Sequence, residues 1–253
     1  MNKLSVVIIA FNEESNIGAC IDSVSGLADD IVVVDSNSTD QTPRIADDKG
    51  ARVLFRPFTG YIEQKNFAMD EAQFDYVLNL DADERLSEEL KNNLLQEKQS
   101  GFPFDAYSMN RLNFYCGRAV KTAGWYPDTK IRLWNRQKGK WVGELVHEKM
   151  ELKAGSSLKH LEGDILHYTY PTHDALLKQV DNFASLAASQ LSKRSSLCLF
   201  SKLLFSPVAK FLRNYIFKLG FTDGAVGFTI CYQQAREVFL KYKRALALKN
   251  RSR

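Results

Sequence analysis

The sequence predicts an α/β fold with a mainly parallel sheet that is covered by helices on both faces. Over the first hundred residues, short runs of β-branched and other apolar residues alternate with segments of helical periodicity. Strands that alternate with helices indicate parallel pairing, and strands that are apolar throughout are typical of a sheet buried on both faces. A long amphipathic helix and a basic, apolar tail follow, so we also expect a helical C-terminal part.

The first hundred residues divide into four strands and four helices. The predicted strands are Leu4 to Ala10, Asp30 to Asp35, Arg52 to Phe55 and Tyr76 to Leu80. The predicted helices are Ile17 to Val24, one that begins near Thr42, Tyr61 to Ala72, and Ser87 to Gln99. Thr42 before Pro43 is typical of an N-cap and first helical position, and Ser87 and Gly101 are expected to start and stop the last helix. This order is that of a parallel α/β sheet.

The pattern changes after residue 105, where the segments become rich in Gly, Trp, Tyr and charge, as active-site loops often are. Strands are predicted at Ala106 to Tyr115, Lys130 to Trp134 and Ile165 to Tyr170. Thr172 to Arg194 is predicted as one helix, with an apolar stripe of Leu176, Val180, Phe183, Ala187 and Leu191. We therefore expect a main domain of residues 1–195, with halves 1–105 and 106–195, and a tail of residues 196–253.

Length, cysteines and the N-terminus bound the class of protein. The 253 residues suffice for one large domain with an appendage, and the four cysteines show neither metal-ligand spacing nor a disulfide framework. The first apolar run is stopped by Asn12-Glu13-Glu14 and lacks the cleavage site of a signal peptide. These features predict a cytoplasmic protein.

The tail differs from the body in charge. Residues 191–253 hold thirteen Lys/Arg and two Asp/Glu, a balance of +11, whereas residues 1–190 balance at −7. No window of the tail approaches the ~20 uncharged residues that span a bilayer. A segment rich in Phe, Lys and Arg suits the surface of an anionic membrane, and the alternative is a helical hairpin packed on the protein or on another subunit.

Asp81-Ala-Asp83 ends the apolar run of the fourth strand and is the most informative motif. Open α/β sheets bind ligands beyond the carboxyl ends of their strands, and two neighbouring carboxylates repel unless a cation or protons neutralise them. Mg²⁺ or Mn²⁺, shared with substrate phosphates, suits such oxygens. The alternative is an exposed acidic loop before the helix that Ser87 caps.

Asp35 ends the second strand, so it is expected at the same sheet edge as Asp81 and Asp83. A carboxylate there can accept hydrogen bonds from a ribose or a base, although a turn and a helix cap would also explain it. The glycine fingerprint of dinucleotide folds is absent, which argues against a nicotinamide or flavin cofactor. The edge is therefore a candidate nucleotide site.

Four segments together resemble the nucleotide-sugar glycosyltransferases of family 2, which have a GT-A fold and invert the anomeric carbon. They are Ser5 to Glu13, Val34 to Thr42, Gly60 to Asn66 and Leu80 to Glu84. Closer still is the resemblance to the β-1,4-glucosyltransferases of lipopolysaccharide core synthesis, carried by Gly124 to Asp128, Val146 to Glu148 and Lys218 to Gly224. The resemblance implies a UDP-sugar donor and a bacterial lipid-linked or lipopolysaccharide-core acceptor.

The resemblance also implies a role for each donor-side residue. Phe11, Asn12 and Glu13 would line the nucleotide pocket, and Asp35 would contact the uracil base. Lys65 would lie near the donor diphosphate. Asp81 would lie near the ribose and sugar, and Asp83 would bind the divalent metal.

An inverting displacement needs a base for the acceptor hydroxyl, and family 2 usually places it in an acidic motif in this part of the chain. This chain has His147-Glu148 there. We expect Glu148 to be the base, followed by Asp128 and then Glu144, with His147 as a diphosphate ligand, an orienting group or a structural histidine. Arg132 is expected to pair with Asp128, or else to hold an acceptor anion. His160, His167 and His173 show no metal-ligand pattern. His167 lies in the predicted strand Ile165 to Tyr170 and could face the site, but a structural role is expected.

We therefore expect a metal-assisted, inverting hexosyltransferase that is peripheral on the inner face of the cytoplasmic membrane. One alternative is a sugar-1-phosphate nucleotidyltransferase, although no Gly-rich basic loop lies near the N-terminus. Another is a non-catalytic membrane- or carbohydrate-binding protein on a transferase scaffold. Nucleic-acid binding is disfavoured because the basic tail is rich in Phe and Leu and carries no known motif.

Overall fold

The computed structural model describes residues 2–143 and 148–251. Two compact units are present: residues 1–111 with 128–167, and residues 112–127 with 168–253. The boundary predicted at residue 195 falls within the second unit, and the predicted division into domains stays a prediction.

The strands follow the predicted order, with additional short ones. They are β1 (Leu4–Ala10), β2 (Asp30–Asp35), β3 (Arg52–Phe55), β4 (Tyr76–Asp81), β5 (Glu84–Leu86), β6 (Ala106–Tyr115), β7 (Arg118–Ala119), β8 (Thr129–Asn135), β9 (Gly139–Val142), β10 (Lys149–Leu152) and β11 (Leu158–Tyr170). The short strands β5, β7, β9 and β10 were not predicted, because two to four residues carry too little periodicity to be recognised.

The helices also match the expected segments. They are α1 (Ile17–Val24), α2 (Thr42–Asp48), α3 (Tyr61–Asp70), α4 (Glu88–Gln99), α5 (His173–Leu191), α6 (Ser196–Leu212) and α7 (Gly224–Arg251). Ser87 caps α4 as predicted, because its side chain accepts a hydrogen bond from the Leu90 N–H. Thr172 caps α5 in the same way.

The main sheet has the order β3-β2-β1-β4-β8-β6-β11-β5, with β7 beside β6. The first four strands in this order, β3, β2, β1 and β4, pair in parallel. Strand β8 then pairs antiparallel with both β4 and β6, and β11 pairs antiparallel with β5. The predicted α/β fold is confirmed, with parallel pairing among β3, β2, β1 and β4, antiparallel pairing of β8 with β4 and β6, and a separate β9–β10 hairpin.

Both faces of the parallel strands are buried, as their continuous apolar character predicts. Val6 and Ile8 on β1 join a cluster with α1 and α4, whereas Val7 between them joins a second cluster with α3 and Trp134. All three β1 side chains are fully buried. Because neighbouring strand residues point to opposite faces, helices must cover both sides.

Two local expectations were wrong. Thr42 begins α2 but does not cap it, because its hydroxyl donates to Asp40 at 2.5 Å and accepts from the Glu13 N–H at 2.7 Å. Phe183 is exposed, because the buried stripe of α5 advances in steps of four residues, through Leu176, Val180, Ala184 and Ala188. Small alanines on this stripe let a neighbouring helix approach closely.

The second unit is built on packing among helices. Ala188 of α5, Leu199 of α6 and Ala245 of α7 form one buried cluster. A second cluster joins Leu176 and Val180 of α5 to Ile230 and Cys231 of α7. The predicted helical character of the tail is confirmed.

Gly163 on β11 allows a close approach to the start of α4. It has φ of +91°, and a Cβ there would lie 2.5 Å from the Leu90 backbone nitrogen. Gly155 has a similar φ of +82°, but nothing lies within 4 Å of its Cβ position. We expect Gly163→Ala to lower the free energy of unfolding by about 3 kcal/mol or more, and Gly155→Ala by only about 1 kcal/mol. Urea unfolding measures both, and equal losses would contradict the close approach.

Candidate active site

The parallel register brings three predicted donor-side segments to one sheet edge. Ala10 lies beside Asp35, and Ile9 lies beside Asp81, so β1, β2 and β4 end at the same level. Phe11 follows directly and its side chain is more than half exposed. The edge predicted from the sequence is therefore present, with Phe11, Asp35 and Asp81 at neighbouring strand ends.

Asp35 shapes the loop that follows β2. Its buried carboxylate accepts hydrogen bonds from the backbone N–H of Ser38 at 2.7 Å and from the Ser38 hydroxyl at 2.5 Å. Asn12, with φ of +54°, receives a bond from the Thr39 N–H at 2.8 Å and donates its own N–H to Ser38 Oγ at 2.8 Å. The loops after β1 and β2 are thus tied together, and the predicted contact of Asp35 with a base stays a prediction.

Asp81 lies between two buried cations. Lys65 Nζ on α3 is 3.1 Å from its Oδ1, and Arg132 Nη2 on β8 is 3.0 Å from its Oδ2. Burial by itself would raise the pKa of Asp81, but the charges and hydrogen bonds of Lys65 and Arg132 outweigh it and hold this pKa well below its usual range. Asp81 is therefore an ionised carboxylate whose charge is compensated by the protein.

Glu84, which the sequence interpretation missed as a functional group, holds this arrangement together. It is fully buried, and it accepts hydrogen bonds from the Asp81 backbone N–H at 3.0 Å and from Arg132 Nη2 at 2.5 Å. Arg111 Nη1 approaches the same oxygen at 3.4 Å. The position of Glu84 directly after Asp81-Ala-Asp83 was the one sequence signal for a role in the site. Its burial depends on Arg111 and Arg132, which are distant in the sequence.

The expected pairing of Arg132 with Asp128 is wrong. Leu78 of β4 lies opposite Leu133 of β8, which places Arg132 level with the end of β4, and Arg132 Nη1 donates to Asn79 at 3.3 Å. Asp128 lies before β8 and binds Arg111 at 2.8 Å and Lys130 at 2.9 Å. The antiparallel register therefore places Arg132 against the carboxylates of Asp81 and Glu84.

Asp83 lies beside His167 of β11, a strand that is distant from it in the sequence. His167 Nε2 is 3.1 Å from Asp83 Oδ2, because β11 pairs with β5 and sets His167 opposite Glu84. Burial raises the pKa of Glu13, the hydrogen bond with Asn16 partly offsets this, and the Asp83 and Asp40 charges raise it further against a smaller opposing effect of His167. His167 was expected to be structural, because no local spacing links it to Asp83, and the alternative that it faces the site is the one the structure shows.

The side chains of Asp83 and His167 offer ligand atoms that suit a divalent cation shared with a substrate. Carboxylate oxygen and imidazole nitrogen are both suitable ligands for Mn²⁺. Within residues 2–143 and 148–251, no group of three or more His, Cys, Asp or Glu could hold a metal ion. Mg²⁺ and Mn²⁺ commonly use one or two protein ligands and take the rest from phosphates and water. The pair therefore suits a metal on a diphosphate.

Lys65 also links this edge to the β9–β10 hairpin. Its Nζ lies 4.6 Å from the centre of the Trp141 ring and 3.8 Å from Glu148 Oε1. The Asn66 side chain both donates to and accepts from the Trp141 backbone, at 3.0 Å each, which fixes β9 against α3. The structure therefore brings Glu148 close to the site, whereas His147 and Glu144 lie outside the described residues.

The two described base candidates differ in their surroundings. The Asp128 carboxylate is engaged by Arg111 and Lys130, and although burial opposes it, these cations lower its pKa. Glu148 is only partly buried and has Lys65 at the longer distance of 3.8 Å. A carboxylate held by two cations is a poor proton acceptor, so the geometry favours Glu148 over Asp128.

Asp81 should make the stability of the protein sensitive to acid. Because its pKa is lower in the folded state than the ~3.9 of an unfolded chain, its stabilisation is present above that pH and is lost as the pH falls towards the folded value. We expect the stability advantage of the wild type over Asp81→Asn to shrink below about pH 4 by up to about 1.4 kcal/mol per pH unit. Urea unfolding from pH 6 to 3 measures it, and a pH-independent difference would contradict the ion pairs.

Comparisons with known proteins identify the family of this chain. The model of "Glycosyl transferase family 2" matches residues 5–151. An uncharacterized glycosyltransferase of Rickettsia typhi is 31% identical over 100% of this chain and 90% of its own length. The lipopolysaccharide core biosynthesis glycosyltransferase LpsC of Rhizobium meliloti is 29% identical over 94% of this chain and 93% of its own.

Among solved structures, glucosyl-3-phosphoglycerate synthase from Mycobacterium tuberculosis, in complex with Mn²⁺, UDP and glucosyl-3-phosphoglycerate, is 30% identical with a TM-score of 0.36. The match covers 45% of this chain and 44% of that one. The family model and the full-length relative confirm the predicted family and enzyme class. The chain belongs to glycosyl transferase family 2 and is a glycosyltransferase.

Proposed function

We propose that this glycosyltransferase moves a hexose from a UDP-sugar to a lipopolysaccharide-core or other lipid-linked acceptor, with inversion at the anomeric carbon. The observation that carries the proposal is the grouping of Asp81, Lys65 and Arg132 with Asp83 and His167 at one sheet edge. In this grouping a carboxylate can accept a hydrogen bond from a hydroxyl of the sugar or ribose, and the cations can bind the nucleotide diphosphate. The name of the LpsC relative supports the lipopolysaccharide-core acceptor.

The cations of the site suit the charge that develops during transfer. Cleavage of the anomeric C–O bond leaves negative charge on the departing diphosphate, and buried donors stabilise it more strongly than donors in water. Lys65, which is almost fully buried against Asp81 and Trp141, is placed to provide such a donor. In this proposal Asp81 orients Lys65 and accepts a hydrogen bond from a ribose or sugar hydroxyl.

Asp83 and His167 would hold Mg²⁺ or Mn²⁺ on the donor diphosphate. The metal would supply Lewis-acid stabilisation of the leaving group. Asp83 is suited to this role because Lys65 and Arg132 contact Asp81 and leave Asp83 to His167. The two aspartates of the motif thus divide between the sugar and the metal.

Glu148 is proposed as the base that removes the proton from the acceptor hydroxyl. It lies directly before β10, and the contact between Asn66 and Trp141 holds the preceding strand β9 near the donor edge. A carboxylate placed across the sugar from the leaving group can accept the proton as the new bond forms. In this proposal Phe11, Asn12 and Glu13 line the nucleotide pocket, with Asp35 near the base.

We also propose that the enzyme works on the inner face of the cytoplasmic membrane as a peripheral protein. The support is the +11 charge balance of residues 191–253, which would attract an anionic surface. In the part of the chain that the structure describes, no helix is long and apolar enough to cross a membrane.

A donor screen tests the proposed reaction. Purified protein, Mn²⁺ and a lipopolysaccharide-core acceptor would be incubated with UDP-, GDP-, dTDP- and CMP-linked sugars, with the released nucleotide as readout. We expect release from a UDP-hexose, dependent on both acceptor and divalent metal. Activity confined to a GDP-, dTDP- or CMP-sugar, or unchanged after metal chelation, would contradict the proposal.

The base assignment is tested by a pair of matched substitutions. Glu148→Gln keeps the shape of the side chain but removes the proton acceptor, so we expect kcat to fall by about 100- to 10,000-fold, with UDP affinity unchanged. Asp128→Asn is the control, and its kcat should fall by less than about tenfold because Arg111 and Lys130 already occupy that carboxylate. The reverse order of effects would assign the base to Asp128.

A further inference from the structure

Helix α6 carries an apolar face that its packing does not use. Leu199 faces the cluster with Ala188 and Ala245, and so fixes which side of α6 packs on its neighbours. Exposed apolar side chains recur at helical spacing on another side, and we call this set the α6 apolar face: Leu197, Phe200, Leu204, Phe205, Val208 and Leu212. Leu197 and Phe205 are 81% and 72% exposed.

The size and regularity of this face set it apart from scattered surface residues. Leu197, Phe200, Leu204 and Val208 follow steps of three or four, which places them on one stripe along a helix of 17 residues. The apolar character continues beyond the helix, where Ile216 and Phe217 are also exposed. Contiguous apolar patches of this kind mark binding surfaces in soluble proteins.

The charge around the face identifies the chemistry of its partner. Between Asp181 and Asp223 the chain contains six Lys/Arg and no Asp or Glu. Lys202, Arg213 and Lys218 among them are exposed on α6 or just after it. A second protein surface has to match both the apolar stripe and the basic residues, whereas an anionic bilayer offers acyl chains beneath phosphate headgroups.

We propose that the α6 apolar face inserts into the interface of a bilayer rich in anionic phospholipid, with Lys218, which follows the exposed Phe217, contacting lipid phosphates. Lys202 and Arg213 lie towards the side of α6 that carries Leu199 and add positive charge near the membrane surface. This inference rests on the proposed function, because it gives the surface by which the enzyme reaches a lipid-linked acceptor. It adds a defined docking surface, in which Phe and Leu side chains supply depth and basic residues supply selectivity for anionic lipid.

Vesicle sedimentation with a matched pair of variants tests the proposal. Leu204→Glu places a charge in the centre of the face, and Leu158→Glu makes the same change on β11, where the leucine is similarly exposed, at 47% against 52%. With vesicles of phosphatidylethanolamine and phosphatidylglycerol at 3:1, we expect Leu204→Glu to lower binding by about tenfold or more, and Leu158→Glu by less than about twofold. The wild type should bind pure phosphatidylcholine vesicles at least about tenfold more weakly.

Several results would overturn the proposal. One is that the wild type does not bind the anionic vesicles, and another is that Leu204→Glu binds them like the wild type. A third is that light scattering shows a wild-type dimer that Leu204→Glu dissociates, which would mean that the face binds a second copy of the chain. Thermal unfolding of both variants should match the wild type, because both leucines are exposed. Turnover with a delipidated core oligosaccharide separates the proposed reaction from the proposed docking surface. We expect Leu204→Glu to keep wild-type turnover with this substrate. If the wild type binds the vesicles but shows no turnover, the proposed reaction is wrong and the docking surface is supported.

Discussion

The buried ion pair between Glu84 and Arg132 is the interaction on which the candidate site at the carboxyl ends of β1, β2 and β4 depends. An apolar strand cannot end in buried carboxylates unless cations and hydrogen bonds replace the lost water, because an unpaired buried charge costs several kcal/mol. Arg132 meets this need for Glu84 and Asp81 together, and Glu84 in turn holds the Asp81 backbone N–H. Strand β8 therefore contributes directly to a site whose acidic residues come from β4, the turn after it and the start of β5.

This arrangement separates two aspartates that are only two residues apart. Asp81 is compensated by Lys65 and Arg132, whereas Asp83 faces His167. Their different surroundings support different proposed roles, one towards the sugar and ribose and the other towards the metal. Lys65 extends the same chain of charges to Glu148, so that the proposed donor and acceptor groups share one cation.

The sequence predicted the parts of the structure that have local signals. The strands and helices of the first hundred residues, the cap at Ser87 and the common edge of Asp35 and Asp81 follow from apolar periodicity and from parallel pairing. Partners set by antiparallel register were not predictable. The contacts of Arg132 with Asp81 and of His167 with Asp83 depend on the β4–β8 and β5–β11 pairings, which no spacing in the local sequence indicates. The exposure of Phe183 is equally hard to predict, because a stripe in steps of three and four residues and a stripe in steps of four share Leu176 and Val180 and diverge only after them.

The central proposal is that Lys65 and Arg132 compensate the charge of Asp81, so that Asp83 and His167 are the residues that bind the metal. A crystal structure with UDP and Mn²⁺, with the metal located by its anomalous scattering, tests this most directly. We expect the Mn²⁺ peak next to Asp83 and His167, with Lys65 and Arg132 still on Asp81. A metal bound through Asp81, with Lys65 or Arg132 displaced, would contradict the claim.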